Sequence, residues 1–484
     1  MAQQKQTTLR TIAFVSLGCP KNLIDSEKML GLLAEDGIAI TPSHEDADAI
    51  IINTCGFLEA SKTESLQVIR EAVALKQKAA KAGRVKRIIV VGCLVQRHKT
   101  QLLAEVPEID ALVGVFDRNK IVQAVRGPST PPPFPVTTFI NRLGKVDIGK
   151  GYTESELARL RLTPRHYAYL RISEGCSRGC SFCTIPSIRG RMRSKRLGVI
   201  LAEAEELFDD GAVELNLVGQ DTTCYGQDIG YNAMGNGEGW GFRALLQALD
   251  RKAIKRGAWI RLMYAYPSRF TDDMIKTIVD CQSVVKYLDM PLQHINDEIL
   301  HNMRRRVTRK QIETLLSKLR KWVPGIALRT TFITGFPGET TAQHKELLQF
   351  IKDFRFENLG VFEFSPEPNT PAARLPNPVP PSTAAKRKEE LMLAQQQIVL
   401  QNNQSLIGQT LPVLIDDVNP KQKTAIARHP GQAPEVDSCV YLTHCAASPG
   451  EIINAKIESH NYYDLIARPA GPPQRKTRLS LPIS

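Results

Sequence analysis

The sequence predicts an α/β protein with three parts: a parallel α/β domain, a second α/β domain in the form of a partial (β/α)6 barrel, and a small all-β barrel. Three observations support this prediction. Runs rich in β-forming residues alternate with helical stretches in two long series, Pro-rich segments separate the series, and short β-like runs follow the second break. A chain of 484 residues is long enough for roughly three domains.

Composition excludes several other classes of protein. Hydrophobic residues make up 42% of the chain and charged residues 23%, which is ordinary for a globular protein. Ten cysteines are too few for a disulfide scaffold, no run of 18 apolar residues could cross a membrane, and the first ten residues lack the apolar stretch of a signal peptide. We therefore expect a soluble, cytoplasmic protein with no membrane attachment, in which clustered thiols are metal ligands or reactive groups rather than disulfides.

Residues 9–126 form the predicted N-terminal domain. Strand–helix alternation with short connections is typical of a parallel sheet covered on both faces. The predicted strands are Thr11–Leu17, Ala49–Asn53, Arg87–Val91 and Ala111–Val115, and the predicted helices include Asp25–Glu35 and Glu59–Ala82. The Pro-rich segment Gly127–Pro135 can continue neither element, so residues 127–166 are expected to be a linker.

Residues 167–385 form the second predicted domain, in which six β-like runs alternate with helices. The predicted strands are Ala168–Ile172, Val213–Val218, Trp259–Tyr264, Val284–Met290, Ala327–Ile333 and Leu359–Phe364. The predicted helices include Gly198–Asp209, Asp272–Cys281, Arg309–Trp322 and Thr341–Phe354. The Gly-rich stretch Asn232–Gly241 is expected to be a surface loop. Six parallel strands, each followed by a helix, indicate a partial barrel or a large open sheet.

The C-terminal region begins after a Pro-rich break at Pro376–Pro381. A polar helix is predicted over Thr383–Gln404, and residues 386–404 connect the second domain to a small barrel over residues 405–469. The β-like runs of this barrel are Leu411–Leu414, Thr424–Ala427, Cys439–Thr443, Ile452–Glu458 and Tyr462–Ile466. The barrel carries five basic and seven acidic residues, which argues against binding a phosphate backbone by charge alone, and residues 470–484 form a basic tail.

Three cysteines lie close together directly after the first strand of the second domain: Cys176, Cys180 and Cys183, in EGCSRGCSFC. The Gly and Ser residues between them allow the backbone to curl so that the sulfurs converge. Thiolates select zinc or iron–sulfur clusters. Three cysteines on a four-iron cluster leave one iron open for a further ligand. The alternative is a structural zinc site completed by a distant residue such as His166.

Three other cysteines, Cys19, Cys55 and Cys93, each follow a predicted strand of the N-terminal domain by one or two residues. The carboxyl ends of parallel strands share one edge of the sheet, where open α/β sheets bind ligands. We therefore interpret this trio as a second cluster site, and the alternative is three buried cysteines that act as small hydrophobic residues. The remaining four cysteines show no ligand spacing; they are Cys224, Cys281, Cys439 and Cys445.

These motifs resemble those of the radical S-adenosylmethionine enzymes. With the N-terminal trio and the small barrel, which is similar to a TRAM domain, the chain resembles the methylthiotransferases over about residues 10–468. One branch of that family modifies an adenosine beside the tRNA anticodon, and another modifies an aspartate of the twelfth small-subunit ribosomal protein. The segments SLGCPKNLIDSE, INTCGFLEASKTES, YLDMPLQHIND and APEVDSCV are similar to the second branch, and the slightly acidic barrel favours the same choice because its target is basic.

The resemblance implies a transferase that attaches a methylthio group to the β-carbon of that aspartate by radical chemistry; the alternative is the tRNA enzyme. It implies S-adenosylmethionine and two 4Fe-4S clusters, with no catalytic residue beyond the cluster ligands. The implied ligands are Cys176, Cys180 and Cys183 for the cluster that binds S-adenosylmethionine, and Cys19, Cys55 and Cys93 for an auxiliary cluster. The implied partners are the ribosomal protein, alone or within the ribosomal subunit, and an electron donor such as flavodoxin or ferredoxin.

Residues at the strand ends of the second domain are candidates for contact with S-adenosylmethionine. Gly335 and Glu339 in TGFPGET follow the fifth strand, and Gln220 follows the second. The alternative for TGFPGET is an ordinary turn. Three further residues are expected on the same rim: Asp221, Gln293 and His294. His294 is expected to be a structural hydrogen-bonding group rather than a base.

Two basic runs have no acidic neighbour in the sequence. Ser187–Arg196 contains five basic residues, which would either guide a substrate or an acidic electron donor or form a solvated loop. Arg304–Arg306, followed by two more basic residues, is expected to be a helix-terminus or surface feature.

Overall fold

The computed structural model describes residues 9–79, 84–127, 136–141, 156–229 and 241–471. The Pro-rich segment Gly127–Pro135, the Gly-rich loop Asn232–Gly241 and the basic tail 470–484 lie outside these residues except at their ends. Within the described residues, no helix is both long and apolar enough to span a membrane. The fold is α/β, as predicted, with two parallel sheets and one closed barrel.

The first sheet contains six parallel strands. They are β1 (Thr11–Ser16), β2 (Ala39–Ile40), β3 (Ala49–Thr54), β4 (Arg87–Gly92), β5 (Ala111–Val113) and β6 (Thr137–Phe139), in the order β2-β1-β3-β4-β5-β6. The four predicted strands are confirmed as the central four. The edge strands were not predicted: β2 has only two residues, and β6 comes directly after the Pro-rich segment. β6 lies inside the segment expected to be a linker, so part of that segment belongs to the sheet.

Helices cover both faces of this sheet. They are α1 (Pro20–Glu35), α2 (Glu59–Ala79), α3 (Cys93–His98), α4 (Leu102–Glu105) and α5 (Ile121–Arg126). Ile50 of β3 packs with Ile69 of α2 on one face, and Ile51 packs with Leu33 of α1 on the other. Burial on both faces explains why β3 is a continuous apolar run instead of an alternating one.

The second sheet is the predicted partial barrel. After β7 (Tyr167–Arg171), a short antiparallel pair is formed by β8 (Ser173–Glu174) and β9 (Arg193–Ser194). The other strands are β10 (Glu214–Val218), β11 (Trp259–Leu262), β12 (Val284–Asp289), β13 (Ala327–Thr334) and β14 (Asn358–Glu363). The order β14-β13-β12-β11-β10-β7 follows the chain, and every neighbouring pair is parallel.

Seven helices of the second domain lie between these strands in the described residues. They are α6 (Ile185–Arg189), α7 (Leu197–Asp209), α8 (Phe242–Ile254), α9 (Asp272–Asp280), α10 (Asp297–Asn302), α11 (Arg309–Trp322) and α12 (Thr341–Phe354). α11 and α12 both begin with a capping box, in which a Thr and a Gln satisfy the free amide groups of the first turn. These caps explain why both helices begin where the sequence predicts.

A long helix, α13 (Pro381–Leu406), leads to the small barrel. Its strands are β15 (Thr410–Asn419), β16 (Thr424–Arg428), β17 (Val440–Leu442), β18 (Ile452–Asn461) and β19 (Asp464–Pro469), closed in the order β15-β16-β17-β19-β18. The five predicted strands are confirmed. In β18, Ile453, Ala455 and Ile457 face the core while Lys456 faces solvent, the alternation expected of a small barrel.

The connection between β16 and β17 enters the amino-terminal end of the partial barrel. Glu435 accepts hydrogen bonds from the hydroxyl groups of Tyr167 and Tyr169 at 2.8 and 3.1 Å. Asp437 accepts one from the hydroxyl of Tyr287 at 2.8 Å. This connection, residues 429–439, is called the plug below. The segment APEVDSCV, singled out in the sequence, makes up most of it.

The N-terminal domain covers the opposite, carboxyl-terminal end of the partial barrel. Ile24 of α1 shares one buried cluster with Tyr169, Tyr287 and Ala433 of the plug. The amide of Leu160 donates to the carbonyl of Glu27 in α1 at 3.1 Å, so the chain that leads into the partial barrel also lies against α1. The interior of the partial barrel is therefore closed by a different domain at each end.

Candidate iron–sulfur sites at the domain junction

The N-terminal cysteine trio lies on one edge of the first sheet, as the strand positions predict. Cys19, Cys55 and Cys93 follow β1, β3 and β4, which are neighbours in the sheet. A Cβ added at Gly18 would lie 3.0 Å from the Cβ of Cys55 and 3.4 Å from its sulfur. Gly18 also has φ +94°, a conformation that favours glycine, so this position cannot carry a side chain without strain.

Asn22 holds the three strand ends together. Its Nδ2 donates to the carbonyl oxygens of Leu17 and Thr54, each at 2.9 Å. Its Oδ1 lies 3.4 Å from the sulfur of Cys93. Because Leu17 directly follows one cysteine-bearing strand and Thr54 ends the next, this one amide fixes the spacing of the edge on which the trio lies.

Burial makes two thiols of this trio, those of Cys55 and Cys93, unfavourable as free thiolates. The pKa of Cys93 is raised to about 12: burial is the main cause, Arg189 opposes the shift, and Cys19 and Cys55 contribute to it. The pKa of Cys55 is also raised by burial. The mutual effect shows that the thiols are near one another. A positively charged iron core is the kind of partner that would stabilise them as thiolates.

The second trio lies in the loop between β8 and β9. The amide of Cys176 donates to the carbonyl of Gly190 at 2.9 Å, which closes the loop at its base. The amides of Arg178 and Ile185 donate to the sulfurs of Cys176 and Cys183 at 3.5 and 3.4 Å. Amide donors of this kind stabilise negative charge on sulfur and tune iron–sulfur clusters.

The two trios face each other across the junction. The hydroxyl of Thr184, next to Cys183, donates to the carbonyl of Phe57, two residues from Cys55, at 3.3 Å. Arg189, at the end of α6, donates to the sulfur of Cys93 at 3.3 Å. The loop of one trio therefore packs directly against the strand ends that carry the other.

The zinc alternative receives no support from this geometry. No group of three or more His, Cys, Asp or Glu side chains in the described residues converges to hold a metal ion. His166, the suggested fourth ligand, lies with its Nε2 2.8 Å from Asp416 of the small barrel.

A buried network of charges joins the two domains beside the trios. Arg189 pairs with Glu174 at 3.1 Å and with Asp25 of α1 at 2.9 Å, and Arg171 pairs with both carboxylates as well. Four cations and four carboxylates share the network: Arg118, Arg171, Arg189 and Lys195 with Asp25, Glu156, Glu174 and Glu203. Equal numbers allow each charge to be neutralised without water.

This network corrects the interpretation of the basic run Ser187–Arg196. Two of its five cations, Arg189 and Lys195, are buried in ion pairs, so they neither guide a partner nor belong to a solvated loop. Arg191 and Arg196 are exposed. The prediction was wrong for the buried pair because their carboxylate partners are distant in sequence: Asp25 is 164 residues from Arg189.

Lys21, which the sequence analysis did not single out, lies between the two sites. It is 7% exposed, and its ammonium lies 2.9 Å above the ring centre of Tyr264, just beyond the end of β11. Burial lowers its pKa to about 8. Tyr264 has φ +60°, which is rare for an aromatic residue and typical of functional sites. The signal in the sequence that could have singled out Lys21 was its position, two residues from Cys19.

The three residues expected near S-adenosylmethionine occupy the carboxyl-terminal rim. Nε2 of Gln220 donates to Glu174 at 3.0 Å, while its Oε1 is buried and accepts no hydrogen bond from the described residues. Gly335 has φ +74°, and a Cβ there would lie 2.5 Å from the Cβ of Ala384 in α13. Glu339 accepts a bond from the amide of Gly335 and pairs with Arg387 of α13 at 3.3 Å. Its carboxylate thus stabilises the turn and its contact with α13.

The other rim residues serve the protein itself. Asp221 accepts bonds from Arg178 and from the amide of Thr223. Nδ1 of His294 accepts from the amide of Asn296 at 3.0 Å, and its Nε2 is buried without a hydrogen bond to the described residues. Gln293 has φ +74° and forms a single bridge to Phe332 of β13.

A basic groove opens beside the cysteine loop of the second domain. It is a cavity of about 960 Å³ lined by Arg178 and by Arg304–Arg306. Arg304 and Arg306 are exposed, as expected, and neither forms an ion pair with the described residues. Arg305 is buried instead, with its Nη1 4.0 Å from the sulfur of Cys180.

Comparison with known proteins agrees with this geometry. Three family models match the chain: the uncharacterized protein family UPF0004 over residues 11–114, the radical SAM superfamily over 170–351, and the TRAM domain over 407–469. A ribosomal protein uS12 methylthiotransferase RimO from Citrifermentans bemidjiense is 40% identical over 95% of this chain and 98% of its own length. One from Geobacter sulfurreducens is 41% identical over 94% and 97%. The chain belongs to the RimO methylthiotransferase family.

A solved structure shows the same fold at low sequence identity. The radical S-adenosylmethionine methyltransferase TsrM from Kitasatospora setae, with a SAM analogue and its tryptophan substrate bound, matches with a TM-score of 0.52 at 15% identity, over 75% of each chain. The structure of the same enzyme with cobalamin and a [4Fe-4S] cluster matches with a TM-score of 0.51 at 16% identity. At these identities the likeness extends to the fold alone.

Proposed function

We propose that this chain is a radical S-adenosylmethionine methylthiotransferase that attaches a methylthio group to the β-carbon of an aspartate in uS12, the twelfth protein of the small ribosomal subunit. The observation that carries the proposal is the near full-length similarity to RimO proteins, at about 40% identity, in a chain that assembles two cysteine trios at one domain junction. Acting on uS12, alone or within the subunit, it would work in the cytoplasm.

We assign each trio to one 4Fe-4S cluster. Cys176, Cys180 and Cys183 would hold the first, and Cys19, Cys55 and Cys93 the auxiliary cluster. When bound, the first supplies the electron that cleaves S-adenosylmethionine into a radical, and the second carries the sulfur to be transferred. The protein contributes amide donors to two of the sulfurs, and the plug closes the far end of the barrel.

Gln220 is the strongest candidate for contact with S-adenosylmethionine. Its Oε1 is a buried acceptor without a donor in the described residues, and a buried polar atom of this kind costs free energy unless a ligand or water binds it. Gly335 would let the backbone approach the cofactor closely. Glu339 would support the same turn from below through its bond to the Gly335 amide rather than touch the cofactor.

We assign the basic groove to the electron donor. One side of the cysteine loop packs on the N-terminal domain, whereas Ser177, Arg178 and Gly179 of the same loop line the groove. An acidic one-electron carrier such as flavodoxin or ferredoxin would therefore reach the first cluster without displacing the substrate. The free charges of Arg304 and Arg306 supply the attraction.

Anaerobic reconstitution tests the cluster assignment. We expect about eight irons per chain, and about four when either trio is replaced by alanine. Alanine at Cys176, Cys180 and Cys183 should abolish cleavage of S-adenosylmethionine, whereas alanine at Cys19, Cys55 and Cys93 should preserve cleavage and stop sulfur insertion. A colourless protein that binds zinc would contradict the assignment.

A substrate test separates this function from the tRNA alternative. The reduced enzyme is incubated with uS12 and with tRNA, and each product is analysed by mass spectrometry. We expect the mass gain on uS12, because the small barrel carries more acidic than basic residues and uS12 is basic. A mass gain on tRNA alone would contradict the proposed substrate.

A further inference from the structure

Lys21 is a buried cation without a counter-ion among the described residues. Its side chain is 93% buried, and neither a hydrogen bond nor an ion pair to its ammonium is present in the described part of the chain. Its contact is the face of the Tyr264 ring, which attracts a cation but does not neutralise it. The other buried cations of the junction, such as Arg171 and Arg189, each pair with at least two carboxylates.

The protein groups near Lys21 that can carry negative charge are already engaged. Asp289 pairs with Arg329 at 2.9 Å and accepts a bond from the amide of Tyr264 at 3.1 Å. Glu174 is shared by Arg171 and Arg189. Cys19 is a proposed iron ligand. An unpaired buried charge is costly, so Lys21 requires an anion that the described part of the chain does not supply.

The position of Lys21 indicates where that anion belongs. The residue starts α1 directly after Cys19 and Pro20, and its carbonyl oxygen accepts a bond from Arg171 at 2.9 Å, which fixes the backbone against the partial barrel. Its ammonium points to Tyr264, at the carboxyl end of β11. Lys21 therefore lies between the edge that carries the N-terminal trio and the rim of the barrel.

We propose that Lys21 binds the side-chain carboxylate of the aspartate that is modified, and so positions its β-carbon between the two cluster sites. This inference rests on the proposed function, since it requires an anionic substrate side chain. An ammonium fits this task because it binds a carboxylate as a point charge from several directions. Lys21 is thus a specificity residue, which distinguishes an aspartate from a neutral side chain or base.

A binding cycle tests the inference without turnover. Iron-loaded enzyme without reductant is titrated with labelled uS12 that carries the native aspartate or asparagine at the target position. Lys21→Met should weaken binding of the aspartate form at least about 30-fold, since it removes one partner of a buried charge pair. The asparagine form should bind wild type weakly, and Lys21→Met should weaken it no further. Lys76→Met, which removes a lysine paired with Asp110 elsewhere on the domain, is the matched control.

Further measurements distinguish this inference from other roles for Lys21. Lys21→Gln, which keeps a polar side chain, should show the same loss of binding to the aspartate form of uS12. The iron content of both Lys21 variants should remain at the wild-type value. Equal weakening of both uS12 forms would assign Lys21 a structural role and overturn the inference. So would loss of affinity for S-adenosylmethionine alone, because the bound carboxylate would then be that of the cofactor. If wild type binds neither form of uS12, the proposed function fails, and the inference fails with it.

Discussion

Arg189 makes contacts with both domains at the junction. Its guanidinium contacts Glu174, Asp25, the Oδ1 of Asn22 and the sulfur of Cys93, so one side chain joins the loop that carries one cysteine trio to the sheet edge that carries the other. The pKa of Asp25 lies below its usual range because Arg171, Arg118 and Arg189 stabilise its charged form against the cost of burial. These carboxylates remain ionised in the folded protein at neutral pH.

We predict that Arg189→Met destabilises the iron-free protein by about 3–5 kcal/mol, because it leaves buried carboxylates without one of their cations. Denaturant unfolding, followed by circular dichroism, measures the loss. Arg191→Met is the control: Arg191 lies two residues away but is exposed, and we expect a change within about 0.5 kcal/mol. Equal effects of the two substitutions would show that burial of Arg189 does not matter for stability.

The sequence predicts what chemistry a residue can perform better than it predicts whether that residue is buried. Cys19, Cys55 and Cys93 could be placed on one edge because consecutive parallel strands end together, and the sheet order confirms this. The burial of Arg189 and Lys195 could not be predicted, since no local pattern distinguishes a solvated basic run from one that meets carboxylates of another domain. Lys21 was missed for the same reason.

At the scale of elements, most strands and the long helices were predictable, whereas β2, β6, β8 and β9 were not. β3 and β13 carry enough β-branched residues to be recognised, and α11 and α12 carry clear caps. β6 has three residues and contributes through its pairing with β5. The plug could not be predicted either, because its hydrogen bonds join two domains and leave no period in the sequence.

The groove beside the cysteine loop gives a prediction at this scale. The double variant Arg304→Glu, Arg306→Glu reverses two charges of the groove. It should slow the reduction, by flavodoxin, of the cluster proposed at Cys176, Cys180 and Cys183 at least about tenfold at low salt, because electrostatic attraction governs encounter. Stopped-flow absorbance measures the rate. Reduction by dithionite, a small molecule, should be unchanged, which excludes damage to the cluster.

Two exposed lysines of α12 provide the matched control for this experiment. Lys345→Glu with Lys352→Glu changes the net charge by the same amount at a site outside the groove, and we expect wild-type reduction rates. If both double variants slowed flavodoxin equally, net charge would explain the result, and the groove would not be the docking site.

At the scale of the whole molecule, the plug joins the small barrel to the partial barrel through buried polar contacts. Arg428 pairs with Glu214 at 2.7 Å, and Arg261 donates to the carbonyl of Pro430 at 2.7 Å. Burial, together with the nearby charge of Arg261, lowers the pKa of His429 to about 4. His429 is therefore neutral in the folded protein at every pH above this value.

This interface predicts a pH dependence of stability. Between pH 6.5 and 4 the unfolded chain binds a proton at His429 and the folded chain does not, so the free energy of unfolding should fall as the pH is lowered through this range. The full loss from this one group is of the order of 3 kcal/mol. Denaturant unfolding of the iron-free protein at each pH measures it.

His429→Gln isolates this contribution. Both proteins contain the same carboxylates, so the difference between their stability curves reports His429 alone. We expect the difference to change in the variant's favour as the pH falls from 6.5 to 4 and to stay constant above pH 7. Parallel curves over the whole range would show that His429 can be protonated in the folded state without cost.

The plug also has a consequence for the nascent chain. Tyr167 is translated 268 residues before Glu435, the acceptor of its hydroxyl group, and Tyr287 is translated 150 residues before Asp437. While the ribosome is still synthesising the small barrel, the amino-terminal end of the partial barrel is therefore uncovered. Its polar side chains then form hydrogen bonds with water instead of with the plug. The plug, which leaves the ribosomal exit tunnel later, completes the folding of the central domain.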